Sequence, residues 1–133
     1  MATGSAQGEA LAMSLIHLAP SRDAQTMKVP FAFYMVGGDM SPDLEHGDQL
    51  VADPKRRVRP GVACVFLRKH ADGHLLAVVR RLVEVKYDHW HVRKYDPPGD
   101  YYLSREEWPR AVVISEIRRA FPAALDSTAQ GVG

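Results

Sequence analysis

The sequence predicts a mainly β fold, either a half-open β-barrel or a β-sandwich with short helical turns. Three observations support this prediction. Short apolar runs rich in β-branched and aromatic residues recur along the chain, and glycine, proline and aspartate separate them. No long segment has the 3.6-residue apolar period of an amphipathic helix. The chain has 133 residues, a length that suits one domain.

Each predicted strand is followed by a turn or breaker signal. Ala19-Pro20 ends the first run, for which a short helix is the alternative, and Gly37-Gly38 ends the aromatic second run. Asp53-Pro54 stops the third run, because proline cannot donate to a strand ladder. Asp72-Gly73 lies between the fourth and fifth runs and predicts a hairpin. Pro97-Pro98-Gly99 breaks the chain after the sixth run, and the last run is β-branched. The predicted strands are residues 13–18, 31–36, 49–52, 62–67, 75–85, 90–95 and 111–117.

Composition and chain ends favour one ordinary globular domain. Apolar residues make up 46% of the chain and the net charge is +1, so bulk charge indicates neither a nucleic acid nor a membrane as partner. Residues 1–12 and 122–133 are small and polar, and we expect them to be flexible. Residues 13–121 are predicted to form the domain. The polar residues 21–28 have room for one helical turn.

Cysteine usage and hydropathy predict a cytoplasmic protein. Cys64 is the one cysteine and lies in an apolar run, so we expect a buried, reduced thiol and no internal disulfide. No run of about 18 apolar residues occurs, which predicts that no segment spans a membrane. The N-terminus lacks the basic region and the long apolar block of a signal peptide.

The most informative segment is residues 36–54. It reads Val-Gly-Gly-Asp-Met-Ser-Pro, then Asp-Leu-Glu-His-Gly-Asp, then Gln-Leu-Val-Ala-Asp-Pro. It resembles the signature of LexA, UmuD and self-cleaving phage repressors, in which a strand leads into Gly-Asp-Ser-Met-x-Pro, a turn ends in Gly-Asp, and a strand ends in Asp-Pro. The resemblance covers residues 13–120 and implies the LexA/signal-peptidase-like form of the β fold. The resemblance to later segments of the family lies in residues 59–61, 79–82, 91–100 and 112–118.

The family's catalytic chemistry needs a serine and a lysine, and this chain has neither at the matching positions. In the family, the motif serine attacks after a desolvated, neutral lysine takes its proton. The resemblance places Asp39 at the serine position and Arg80 at the lysine position. A carboxylate has no proton to give, and a guanidinium stays protonated and cannot act as a base. We therefore expect a degenerate dyad and no enzymatic activity, and we predict a salt bridge between the two side chains.

The other motif positions are Gly38, Met40, Pro42, Gly47 and Asp48. In the family, the motif's glycine lets the chain turn sharply off the preceding strand. The carboxylates of the following turn, Asp48 among them, are expected to be solvated.

Two alternatives stay open from the sequence. Ser41, two residues after Asp39, is a candidate displaced nucleophile of a Ser/Lys-type self-cleaving peptidase, although a turn serine before Pro42 is the ordinary interpretation. Gln7-Gly8 stands where the family carries its Ala-Gly cleavage site, so the scissile pair is missing as well. The other alternative is a β-barrel that binds a peptide or a small ligand in the former catalytic groove.

The resemblance implies a non-catalytic dimerisation or regulatory domain of a phage-like or SOS-type transcriptional repressor, or a stand-alone partner of one. Such domains pair through the C-terminal strand, so we predict a homodimer, or a heterodimer with a full-length repressor, that covers an otherwise open sheet edge. No pair of helices could read DNA, and we expect no direct DNA binding by this chain alone. The predicted interface residues are Val112, Val113, Ile114, Ser115, Glu116 and Ile117.

Two other groups of polar side chains are candidates for ligand binding. The basic run 55–59 could contact phosphate, although such runs are more often solvated loops. His89 and His91 alternate along a predicted strand and share a face, but beyond Asp88 no carboxylate pattern accompanies them. We therefore expect no metal site and no cofactor.

Overall fold

The computed structural model describes residues 15–18 and 28–120, and these residues form eight strands and no helix. The flexible ends predicted over 1–12 and 122–133 lie outside the described residues, as does nearly all of the helical turn predicted over 21–28. The strands are β1 Ile16–Leu18, β2 Phe31–Tyr34, β3 Gln49–Asp53, β4 Ala63–Lys69, β5 Leu75–Val85, β6 His89–Tyr95, β7 Pro98–Ser104 and β8 Arg110–Arg118.

All eight strands belong to one antiparallel sheet. Its order is β2-β3-β8-β4-β5-β6-β7, and β1 pairs with β5 beside this path. The strands at the two ends of the order, β2 and β7, do not pair with each other, so the sheet does not close into a barrel. The prediction of a mainly β fold is confirmed. The finer prediction, a half-open barrel or sandwich of the LexA type, stays a prediction.

Strands β4 and β5 are buried on both faces and stand between two apolar clusters. Successive side chains of a strand point to opposite faces, so Val65 and Val79 pack in one cluster while Phe66 and Val78 pack in the other. The first cluster also takes residues from β2 and β3, and the second takes residues from β6 and β7. Burial on both faces explains why these two segments are continuous apolar runs in the sequence. Arg80 interrupts the run of β5 and is nevertheless fully buried.

Strand β7 is not predicted by the sequence. Pro97-Pro98-Gly99 indicates a chain break, but the turn is short and β7 begins at Pro98 itself. A proline is tolerated there because β7 lies at the end of the sheet order and pairs only with β6.

The chain forms hydrogen-bonded turns after Asp39. Ser41 N donates to Gly38 O at 3.0 Å, and Leu44 N donates to Met40 O at 2.9 Å, which closes a single helical turn. These bonds do not continue into a helix, and the described part of the chain contains none.

The hairpin between β4 and β5 is confirmed. Gly73 has a φ of 93°, in the left-handed region that glycine adopts without strain. His70 N donates to His74 O at 2.8 Å and closes the turn, and Asp72 Oδ1 accepts the His74 N–H at 3.0 Å. The dipeptide Asp72-Gly73 supplies both the turn conformation and the side-chain acceptor.

Strand β8 lies between β3 and β4 in the sheet order and is not an end strand, but each half of it pairs with only one of these neighbours. Its first half pairs with β4 up to Val113, and from Val113 onward it pairs with β3. Val112 and Val113 are buried, one in each apolar cluster. These two side chains are therefore unavailable for the predicted contact between copies. Ile114 is partly buried against the first apolar cluster, whereas Glu116 and Ile117 are exposed and remain available for that contact.

Candidate functional site

Asp39 lies in a loop, residues 36–46, whose base is closed by the backbone. Met35 N donates to Asp48 O, and Gly47 N donates to Met35 O, each at 2.8 Å. Gly37 and Gly47 have φ values of 85° and 91°, which favour glycine. Gly38 has no positive φ, and a Cβ added there would meet nothing within 4 Å. The glycine that turns the chain after β2 is therefore Gly37.

Arg80 projects from β5 into the second apolar cluster, where its side chain is 0% exposed. Its Nε donates to Tyr101 Oη at 2.8 Å, and its Nη1 donates to Val79 O at 2.7 Å. Its Nη2 donates to Asp39 Oδ2 at 2.9 Å. Each of the three guanidinium nitrogens thus has an acceptor, which a buried cation requires because it has lost its water.

The predicted ion pair between Asp39 and Arg80 is confirmed at 2.9 Å. The Asp39 carboxylate is 13% exposed, so both partners are largely removed from water. The Asp39 carbonyl also accepts hydrogen bonds from Tyr95 N at 2.8 Å and Asp96 N at 3.0 Å. The loop is therefore tied to β5 through the side chain of Asp39 and to the end of β6 through its backbone.

Tyr101 completes the surroundings of the guanidinium. It comes from β7, the strand that the sequence analysis missed, and its ring lies 5.6 Å from the Arg80 guanidinium carbon. Burial raises the pKa of the Tyr101 hydroxyl, and the nearby Arg80 lowers it by less. The hydroxyl therefore stays protonated at neutral pH and accepts the Arg80 Nε–H as a neutral group.

This geometry suits a pair that holds two parts of the chain together rather than one that transfers a proton. Arg80 has no lone pair with which to take a proton, and its three nitrogens are engaged. Asp39 offers an oxygen that is already bound to the guanidinium. Asp39 and Arg80, which the resemblance matches to a serine and a lysine, lie together and hold a charge-assisted hydrogen bond.

The surroundings of Ser41 differ from those that a displaced nucleophile would need. Its hydroxyl donates to Glu45 Oε2 at 3.1 Å, in an exposed setting. Pro42, which follows it through a cis peptide bond, is exposed, whereas Met40 is completely buried in the first apolar cluster. Arg80 makes its hydrogen bonds to Asp39, Tyr101 and Val79. The geometry therefore gives Ser41 a solvated carboxylate as its neighbour rather than a desolvated base.

Asp48 is buried, so the expectation that the turn solvates it is wrong. Its carboxylate is 2% exposed and accepts hydrogen bonds from Glu45 N, from Ala120 N and from Arg119 Nη1, at 2.9, 2.9 and 3.0 Å. Burial raises the pKa of this carboxyl, but the hydrogen bonds and the Arg119 charge outweigh it and hold the pKa below its usual value. Asp48 therefore fastens the end of β8 to the loop that carries Asp39.

A second arginine cluster was not anticipated from the sequence. Arg81 follows Arg80 and, by strand alternation, points to the opposite face. Its Nη2 donates to Asp43 Oδ2 at 2.7 Å, its Nε to Tyr95 Oη at 3.0 Å, and its Nη1 to Gly61 O at 3.0 Å. The sequence feature that could have predicted this cluster is the pair of adjacent arginines on a buried strand. Each of them binds one aspartate of the same loop.

Other candidate groups show no reactive arrangement. Cys64 is buried and reduced, and burial raises the pKa of its thiol to about 12. His89 contacts Asp88 at 2.7 Å, and His91 contacts Asp100 at 3.0 Å. Within residues 15–18 and 28–120, no three histidine, cysteine, aspartate or glutamate side chains are grouped to hold a metal ion.

Comparisons with known proteins find no relative of this chain. No family model, curated protein or solved structure matches the chain. A search of the described residues for a helix long and apolar enough to cross a membrane finds none. The likeness to LexA-type domains therefore rests on the residues of this chain.

We expect Arg80→Ala to lower the free energy of unfolding by about 3 kcal/mol, because it leaves a largely buried carboxylate without its cation. The control is Arg93→Ala, which removes an exposed pair with Asp100 and should leave the free energy of unfolding nearly unchanged. Chemical denaturation at neutral pH measures both. Equal losses for the two variants would contradict the buried role of Arg80.

We expect Asp48→Asn to cost about 2 kcal/mol at neutral pH, because hydrogen bonds to a charged acceptor are lost. The folded-state pKa of Asp48 lies below the unfolded value of about 3.9, so its stabilisation is present above that pH and is lost as the pH falls through the folded-state pKa. The stability difference between wild type and variant should therefore shrink between pH 7 and about pH 3. Asp88→Asn, at an exposed carboxylate, serves as the control. A difference for Asp48→Asn that is independent of pH would contradict this role.

Proposed function

We propose that this chain is a non-catalytic dimerisation or regulatory domain of the LexA and phage-repressor type. It would serve as part of a transcriptional repressor or as a stand-alone partner of one, in a cytoplasmic setting. The observation that supports the proposal is the ion pair between Asp39 and Arg80. It stands at the two positions where the family resemblance implies a nucleophile and its base.

In this proposal, the Asp39–Arg80 pair at the position of the family's active site holds the loop of residues 36–46 against the sheet. A lysine in such a dry site loses its proton readily and becomes a base, whereas an arginine keeps its charge and demands an anion. Asp39 supplies that anion, and the loop beside it is fixed by Asp48 and by Arg81. Residues that position a nucleophile in a peptidase would here hold the loop on the sheet.

The second half of β8 supports the dimerisation part of the proposal. Residues 114–118 pair with β3 on one side, and no strand of the described chain pairs with their other side. Ile117, whose side chain is large and apolar, is 40% exposed there. A strand segment that is unpaired on one side and carries an exposed isoleucine is a surface that a second copy can cover by strand pairing. The same surface would accept the matching strand of a full-length repressor.

We expect the wild-type chain to sediment as a dimer at micromolar concentrations and Ile117→Glu to sediment as a monomer, because a carboxylate would be desolvated in the interface. Val85→Glu is the matched control, since Val85 is also 40% exposed but lies on β5. Sedimentation velocity separates the two forms. A monomeric wild type, or equal dissociation in both variants, would contradict dimerisation through β8.

We expect no self-cleavage when the purified chain is incubated at about pH 10, a condition that would favour a neutral lysine base. Intact-mass spectrometry of wild type and Ser41→Ala should give unprocessed chains in both cases. A fragment starting near Gly8 that appears in wild type and is absent from Ser41→Ala would overturn the non-catalytic assignment. It would support the displaced-nucleophile peptidase instead.

A further inference from the structure

The connection between β3 and β4 carries an unusual concentration of positive charge. Residues 55–59 read Lys-Arg-Arg-Val-Arg, with four cations in five positions. With Asp53, the segment has a net charge of +3, whereas the rest of the chain has thirteen basic and fifteen acidic side chains and a net charge of −2. The loop is therefore a positive patch on an otherwise slightly negative protein.

The loop has a defined backbone. Asp53 begins it, and its carboxylate accepts the Lys55 N–H at 2.9 Å while its carbonyl accepts the Arg56 N–H at 3.1 Å. Val58, in the middle of the basic run, packs against the second apolar cluster. Gly61 closes the loop by donating its N–H to Leu82 O at 2.8 Å. A loop held at both ends and in the middle presents its long side chains from fixed positions.

Most of these cations have no acidic partner. Arg56 contacts Asp53 at 3.6 Å, but Lys55, Arg57 and Arg59 form no ion pair with any residue that the structure describes, and all are exposed. This contrasts with Arg80, Arg81 and several surface arginines, which each contact a carboxylate. Arg110, also exposed, lines the same shallow cleft as Pro54 at the start of the loop.

We infer that this basic loop, Lys55–Arg59, binds the phosphate backbone of duplex nucleic acid without reading its sequence. Arginine presents a fork of donors that matches two phosphate oxygens, and three of the four cations are arginines. The loop's one β-branched side chain, that of Val58, is turned into the core, so the surface offers charge with little apolar area. A protein partner would need an apolar centre, whereas phosphate binding needs only the charge.

The inference does not depend on the Asp39–Arg80 pair or on the proposed function. It also revises one expectation: the described residues contain no helix that could read DNA, but contact with phosphates needs no such helix. In a repressor-type dimer, two such loops would add a salt-sensitive contribution to binding that another domain directs.

The test uses the full chain and a fluorescently labelled duplex of about 20 base pairs, followed by anisotropy between about 50 and 200 mM salt. The loop variant carries Lys55→Ser, Arg57→Ser and Arg59→Ser. The control carries Lys28→Ser, Lys69→Ser and Lys86→Ser, which removes the same charge at exposed positions elsewhere. Every substituted side chain is exposed, and thermal melting checks that all three proteins are folded.

If four cations contact phosphates, the wild-type slope of log affinity against log salt is about −3.6, and the loop variant's is about −0.9. We expect the loop variant to lose at least about tenfold in affinity at low salt and the control to lose less than about threefold. A scrambled duplex should bind as well as the first. Equal losses in both variants, or no wild-type binding, would overturn the inference. Binding to vesicles that contain phosphatidylserine without binding to the duplex would overturn it in favour of a membrane surface.

Discussion

A guanidinium that is completely removed from water is costly unless each of its nitrogens finds an acceptor, and Arg80 imposes this constraint on the centre of the sheet. Its three acceptors come from β5, from β7 and from the loop after β2. The loop in turn binds the end of β6 through the Asp39 carbonyl. One buried cation thus fixes the relative positions of four parts of the chain. Removal of its partner would leave an unpaired charge in an apolar setting, so the pair constrains the fold as a unit.

The same dry environment has opposite chemical consequences for lysine and for arginine. Desolvation lowers the pKa of a lysine and can produce a neutral base, but a guanidinium keeps its proton and must be neutralised by an anion. Asp39 provides that anion. The two side chains are complementary, because either one alone would be a buried, uncompensated charge. The two positions that the resemblance matches to a proton-transfer pair therefore hold a fixed ion pair in this chain.

Much of the fold is visible in the sequence because its signals are local. Strands with continuous apolar or aromatic runs were predicted, and Asp72-Gly73 identified a hairpin. The motif also placed Asp39 opposite Arg80 correctly. What escaped prediction depends on position in the sheet. Pro98 is compatible with a strand because β7 pairs on one side only, and β8 lies between β3 and β4 in the sheet order. Asp48 resembles an ordinary turn residue, and its burial follows from Arg119 and Ala120, more than seventy residues away.

The most direct measurement is the coupling free energy between Asp39 and Arg80 in a double-mutant cycle. Asp39→Ala, Arg80→Met and the double variant would be compared with wild type by chemical denaturation at neutral pH. Because each single change strands a buried charge and the double change removes both, the double variant should be more stable than the sum of the single losses implies, by about 2–3 kcal/mol. Strictly additive losses of unfolding free energy would show that the two side chains do not depend on each other. That result would contradict a central role for the buried ion pair in this fold.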